Sequence, residues 1–247
     1  MTVLKLGGSI VTDKDSPETL AKHAIAHAAM AIAGYVEAEA DNDLVLVHGG
    51  GSFGHFHASE HDVTPTEGSR DGAAVLAIHE AMQELNEAVV GALADEKVPA
   101  LPVHPLSAAR RSAEGDLSLP LETTATMVEE GFVPVLHGDV VVHEGAGATI
   151  LSGDELVVEL ARGLDADRVG LCSAVPGVLD EAGSVVRRIQ AFEDVESVLG
   201  ASESTDVTGG MAAKVQELLD LEMPASIFAV DDLGPFLAGD AVGTRID

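Results

Sequence analysis

Leu44-Val45-Leu46-Val47-His48-Gly49-Gly50-Gly51 (44–51) is the stretch from which the fold is read outward. Four consecutive aliphatic residues, without polar alternation, describe a strand covered on both faces, as in parallel sheets. Three glycines then end it, where a backbone without side chains can come close to a ligand. The same grammar recurs elsewhere. Val3-Leu4-Lys5-Leu6 runs into Gly7-Gly8-Ser9, Phe132–Leu136 into His137-Gly138-Asp139, and Arg168–Ser173 into a turn holding Gly177. Helical patterns separate these strands. The alternation predicts an α/β fold, a three-layer αβα sandwich around a mostly parallel central sheet.

Between the strands, Ser16-Pro17-Glu18 reads as a helix start, with Leu20, Ala24, Ala28, Ile32 and Tyr35–Val36 forming its apolar face. Glu60–Asp71 reads as a polar loop or lid, followed by a long helix to about Ala94 and a strand at Ala100–Val103. A hairpin is centred on Glu144–Gly147, and Ser152-Gly153-Asp154 caps a helix to Gly163. Ser197–Asp206 reads as an exposed loop. A helix from Gly210 to about Leu221 and a strand at Ala225–Val230 follow. The chain reads as one domain, 1–247, with a soft lobe boundary near Leu151.

The chain is 247 residues long and carries a formal charge of −29, yet 46% of it is hydrophobic. That combination describes a folded core under an acidic shell, not an acidic disordered chain. Without a basic stripe it excludes nucleic acid as a partner. Acid excess of this kind resembles proteins of salt-loving organisms, where molar salt screens the repulsion. Cys172 has no other cysteine to pair with and reads as a small buried hydrophobe. No targeting segment precedes the first strand and no apolar run reaches membrane-spanning length, so a cytoplasmic location is expected.

Lysine is scarce. Of five, Lys5, Lys14 and Lys214 lie in or beside glycine-rich turns, whereas Lys22 and Lys97 sit in polar helical surroundings. A compact ammonium beside exposed backbone N–H groups suits phosphoryl oxygens, so the pattern points to phosphoryl transfer. Neither a Walker A loop nor a G-x-G-x-x-G step after a strand is present.

K-L-G-G-S (5–9), H-G-G-G-S-F-G-H (48–55), H-G-D-V (137–140), S-G-D (152–154) and D-V-T-G-G-M-x-x-K (206–214) together resemble the amino acid kinase superfamily. The G-S-F-G-H form resembles its archaeal isopentenyl phosphate kinases. The likeness runs from Val3 to Gly243-Thr244-Arg245-Ile246. It implies ATP-dependent, direct in-line phosphorylation of isopentenyl phosphate, with an acceptor lobe over 1–151 and an ATP lobe over 152–247.

On that resemblance Lys5, Lys14, His55 and Asp154 are the catalytic set, with Lys14 the stabiliser of the transition state and Asp154 the orienter of Lys5 and Lys214. ATP would be held by Lys5, Gly7, Gly8, Ser9, Gly51, Gly177, Gly210 and Lys214, and the acceptor by Gly50, His55 and Gly153. Mg²⁺ would bridge the ATP phosphates with few direct protein ligands, and a homodimer is expected. Ser173-Ala174-Val175-Pro176-Gly177-Val178 departs from the family pattern, with Ala174 where relatives usually have aspartate. The acceptor's tail would lie against the helix face of Ala74, Ile78, Met82 and Leu85.

Blander readings stand beside these. His55, His57 and His61 have a superficially metal-like spacing, but no carboxylate or cysteine constellation completes it convincingly, and no metal site is expected. His48 and His137 read as structural supports of their turns. His23, His27, His79, His104 and His143 carry no case. Asp139 stays open between a turn cap and a site role, as do Asp206 and Thr208 between shaping a helix entry and touching nucleotide. A fosfomycin-type kinase on the same fold, and a non-catalytic binder, are the rival functions. UMP and acetylglutamate kinases are more distant ones.

Overall fold

The computed structural model describes residues 1–13, 16–38, 42–195, 210–221 and 223–247. In chain order the strands are β1 (Thr2–Leu6), β2 (Leu44–His48), β3 (Ala100–Pro102), β4 (Arg110–Arg111), β5 (Leu117–Ser118), β6 (Val133–His137), β7 (Asp139–His143), β8 (Gly147–Leu151), β9 (Arg168–Ser173), β10 (Arg188–Ile189), β11 (Ala225–Ala229) and β12 (Thr244–Ile246). Among them lie α1 (Gly8–Val11), α2 (Lys22–Ala38), α3 (Gly51–Glu60), α4 (Gly72–Asp95), α5 (Pro105–Ala108), α6 (Glu122–Glu129) and α7 (Gly153–Gly163). Helices Gly210–Leu219 and Leu233–Leu237 follow.

The main sheet has the order β10-β12-β11-β9-β1-β2-β6-β3. β3, β6, β2, β1, β9 and β11 run parallel, while β12 is antiparallel to β11. Parallel pairing forces each connection to cross over the sheet, and the helices that make those crossovers bury both its faces. The mostly parallel three-layer expectation is therefore met.

Strand parity decides what each face receives. Val3, Val45, Val47 and Leu136 point into a core with Leu156, Val157 and Leu160 of α7 and with Val215 and Leu218. Leu4, Leu6, Leu44, Leu46, Val133 and Val135 point the other way, onto Ile25 and Ile32 of α2 and Leu85, Val89 and Leu93 of α4. Lys5 shares the parity of Val3 and so faces α7. His48 and His137 share that of Leu46 and Val135 and so face α4.

Three features differ from the sequence reading. First, α2 begins at Lys22, not at Ser16. The Asp13 N–H donates to the Thr19 carbonyl and the Ala21 N–H to the Val11 carbonyl, so the chain folds back on itself before turning helical. Second, a smaller sheet of order β5-β4-β7-β8 lies beside the main one. Only its β7–β8 hairpin was legible, because two-residue strands carry no periodicity. Third, the glycine turn at 49–51 opens α3 before the Glu60–Asp71 segment begins. Ser197–Asp206 lies outside the described residues.

Candidate active site

The site grows from the carboxyl ends of β1 and β2, where connections leave the sheet and backbone N–H groups collect. Ser152 caps α7, its Oγ accepting from the Glu155 N–H at 3.0 Å. Gly153 comes next, and a Cβ there would stand 3.1 Å from Lys5 Cε. The missing side chain leaves Lys5 Nζ room to meet Asp154 Oδ1 at 2.6 Å. From the other side Lys214, in the helix that starts at Gly210, brings its Nζ to 3.5 Å from Asp154 Oδ2. One carboxylate thus gathers two ammonium groups from elements far apart in sequence.

Asp154 and Lys5 are 7% and 6% exposed, so neither charge is at home without the other. Burial alone would raise the Asp154 pKa, but the charges of Lys5 and Lys214 outweigh it and hold the carboxyl below the usual range. Burial pulls the Lys5 ammonium below its ordinary value, against the attraction of Asp154. Glu217, three residues beyond Lys214, is pushed up to about 7 by burial first and by the charge of Asp154 second. Sequence reading missed this residue. Its signal was the i, i+3 spacing from Lys214 on one helical face.

The two glycine turns touch. A Cβ on Gly8 would lie 2.5 Å from the Gly51 nitrogen, and Gly51 itself has φ +48. Thr12 joins the turns by donating its hydroxyl to the Gly8 carbonyl at 2.8 Å and accepting from the Ser52 N–H at 2.9 Å. Gly50 is the N-cap of α3. Ser9 is half-buried in α1. The N–H of Gly7 is already given to the Cys172 carbonyl at 2.8 Å, so that residue shapes the turn and has no N–H left for a phosphate.

His55 stands exposed on α3, and Lys214 is half-buried. Lys14, Asp206 and Thr208 lie outside the described residues. Gly177, with φ +151, lets its turn pass against Thr244, whose Oγ1 accepts the Val178 N–H at 2.8 Å. The turn therefore keeps its shape with Ala174 exposed on it. Buried Cys172 is pushed up to about 12 by burial and so is inert.

His48 and His137, read as supports of their turns, join His79 and His104, for which the sequence made no case, in a polar network behind the second turn. His48 Nδ1 lies 3.1 Å from the Gly49 carbonyl, and its Nε2 3.1 Å from the Asn86 amide of α4. His137 repeats the plan, with Nδ1 2.9 Å from the Gly138 carbonyl and Nε2 2.9 Å from His104 Nδ1. A ring nitrogen facing a carbonyl carries the proton and the one facing a donor does not, so both rings are neutral Nδ1–H tautomers. Burial holds them neutral, at about 4 for His48 and about 3 for His137. The rings sit on paired positions of β2 and β6 and stack at 5.5 Å. His79 lies 2.9 Å from the buried Asp139 carboxylate, which also accepts the Val140 N–H at 2.8 Å. Asp139 is thus a buried partner of α4, not merely a cap. Nothing local links positions 79 and 139, and only the tertiary fold pairs them.

The amino acid kinase family model matches residues 1–227. The chain belongs to the amino acid kinase family. Within it, this kinase is 60% identical to an isopentenyl phosphate kinase of Haloferax volcanii, over all of this chain and 98% of that protein. It is 32% identical to an isopentenyl phosphate kinase of Methanocaldococcus jannaschii, again over all of this chain and 98% of the other. A crystallographic isopentenyl phosphate kinase structure superposes with a TM-score of 0.85 at 27% identity, covering 100% of this chain and 99% of that one. The fold expected from the strand grammar is thus the family's own. Among the described residues, no helix of this kinase is long and apolar enough to cross a membrane.

Proposed function

We propose that the chain phosphorylates isopentenyl phosphate with ATP, giving isopentenyl diphosphate by direct in-line transfer. The observation that carries this reading is the full-length likeness to the Haloferax enzyme of that name. The Lys5–Asp154–Lys214 cluster supplies the chemistry. Two ammonium groups held by one carboxylate leave positive charge in excess beside glycine turns, where a transferring phosphoryl group gathers negative charge.

Lys5 and Lys14 would face the transferring group, and Lys214 the nucleotide phosphates. Gly8, Gly50, Gly51, Gly153 and Gly210 would present backbone to the two phosphate chains, and His55 would donate to the acceptor's phosphate. Asp154 is an organiser, not a base. Its carboxylate is taken by two lysines, and an acceptor phosphate is already ionised near neutrality. Because that carboxylate is committed, Mg²⁺ would be carried mainly by the ATP phosphates, neutralising their charge. We further propose an acceptor lobe over 1–151, an ATP lobe over 152–247, and a cytoplasmic homodimer.

The test is an acceptor panel in high potassium chloride with Mg-ATP: isopentenyl phosphate, dimethylallyl phosphate, geranyl phosphate, UMP, acetylglutamate and fosfomycin. Turnover should be highest with isopentenyl phosphate. Turnover of another acceptor in its absence would overturn the reading. His55→Ala should raise the KM for the acceptor far more than that for ATP, and an equal rise in both would remove its role.

A further inference from the structure

We propose that His57, Glu60 and His61 of α3, backed by Glu18, form a binding site for a late first-row divalent cation of the Zn²⁺ class, stapling the 16–20 segment to that helix. The three residues stand at i, i+3 and i+4, the spacing that puts side chains on one helical face. One ligand atom from each lies within 4.8 Å of the others. Two imidazoles four residues apart plus a carboxylate is a recurrent zinc donor set that leaves a fourth position for water.

The state of His57 points to a cation. Its Nε2 lies 2.8 Å from Glu18 Oε1, so the imidazole gives that proton to a carboxylate. Its Nδ1 is buried and has no hydrogen-bond partner, and it lies 3.6 Å from Glu60 Oε2. A buried ring nitrogen that faces a carboxylate oxygen without a hydrogen bond is a polar group left unsatisfied, and a cation between the two would satisfy it. Zinc bonds of about 2.0–2.2 Å put the edge of a tetrahedron at roughly 3.3 Å, so this pair already stands near coordinating distance. Glu18 then plays the outer partner that holds a ligating histidine in one tautomer. The Glu18 and Thr19 N–H groups already reach Ser52 at 3.4 Å, so a metal would reinforce an existing contact between segment and helix.

The donor chemistry separates this site from any Mg²⁺ on ATP. Hard cations take oxygen ligands, whereas imidazole nitrogen selects zinc, cobalt, nickel and copper. His55 is on the same helix but outside the set, so the trio is not the His55–His57–His61 spacing seen in the sequence.

Cobalt(II) titration of the chelator-stripped full chain in potassium chloride tests the site, with Zn²⁺ as competitor. One Co²⁺ per chain with intense tetrahedral d–d absorption is expected, lost on adding one Zn²⁺. His61→Ala and Glu60→Gln should each weaken binding at least tenfold, and Glu18→Gln by roughly 10–100-fold with stoichiometry kept. His55→Ala and His23→Ala should leave it unchanged, and Zn²⁺ should raise the Tm of the wild type but not of His61→Ala. Absence of a tetrahedral spectrum, full binding in His61→Ala, or loss in His55→Ala would each overturn the proposal. His61 lies at the end of its helix, so its substitution keeps the fold, which the melting transition without metal verifies.

Discussion

Asp154 has no charged neighbour in sequence of opposite sign, yet it ends in contact with two lysines from β1 and from the Gly210–Leu219 helix. Asp154→Asn keeps the shape and removes the charge that gathers them, leaving Lys5 buried without a counter-ion. We expect kcat to fall about 10²–10³-fold, the scale of losing one preorganised electrostatic contact at a transition state. Steady-state kinetics with ADP release as readout would measure it, and a kcat near wild type would deny Asp154 its organising role. Glu217 gives a second expectation. Its folded pKa of about 7 lies above the ordinary 4.5, so between those values the folded state holds a proton that the unfolded state has lost. Stability therefore falls as pH rises across that window. Glu217→Gln should flatten this part of a Tm–pH profile and raise Tm at pH 8, and an unchanged slope would place the titration elsewhere.

At the scale of elements, α4 is tied to the sheet by polar contacts as well as by Leu85 and Val89. The Asp139 side chain is fully buried against His79, whose pKa that hydrogen bond raises despite partial burial. His79→Leu leaves a buried carboxylate without its charged partner and should cost about 3–5 kcal/mol in denaturant unfolding. A cost typical of a surface substitution would mean that Asp139 finds other partners. Acid should expose the opposite linkage. His48 and His137 stay neutral in the fold, with pKa values of about 4 and about 3 against an ordinary 6.5, so the unfolded chain takes up protons that the native one refuses. Stability is lost as pH falls below 6.5, whereas the raised His79 changes stability only above 6.5, where its contribution is lost as pH rises. Most elements were legible because apolar runs and glycine ends are local signals. The helix start at Lys22 was not, because Ser16-Pro17-Glu18 satisfies local capping rules that the backbone contacts of Asp13 and Ala21 override.

Across the whole molecule the charge of −29 opposes compaction wherever salt does not screen it. The Debye length grows from about 3 Å at 1 M salt to about 10 Å at 0.1 M, so repulsion among surface carboxylates reaches over more neighbours as salt is removed. We expect Tm to drop by roughly 10 °C or more from molar to 0.1 M potassium chloride, a few kcal/mol for a chain of this size. A flat profile would assign the acid excess to solubility alone. The sequence by itself determined the parallel sheet, the glycine turns at its carboxyl edge and the lysines beside them, because strand periodicity and turn chemistry are written in adjacent residues. Only the tertiary structure decided which charges meet. Asp154 joins Lys5 and Lys214, Asp139 joins His79, and Glu217 is drawn into the site, since Coulomb energy and desolvation depend on separation in space.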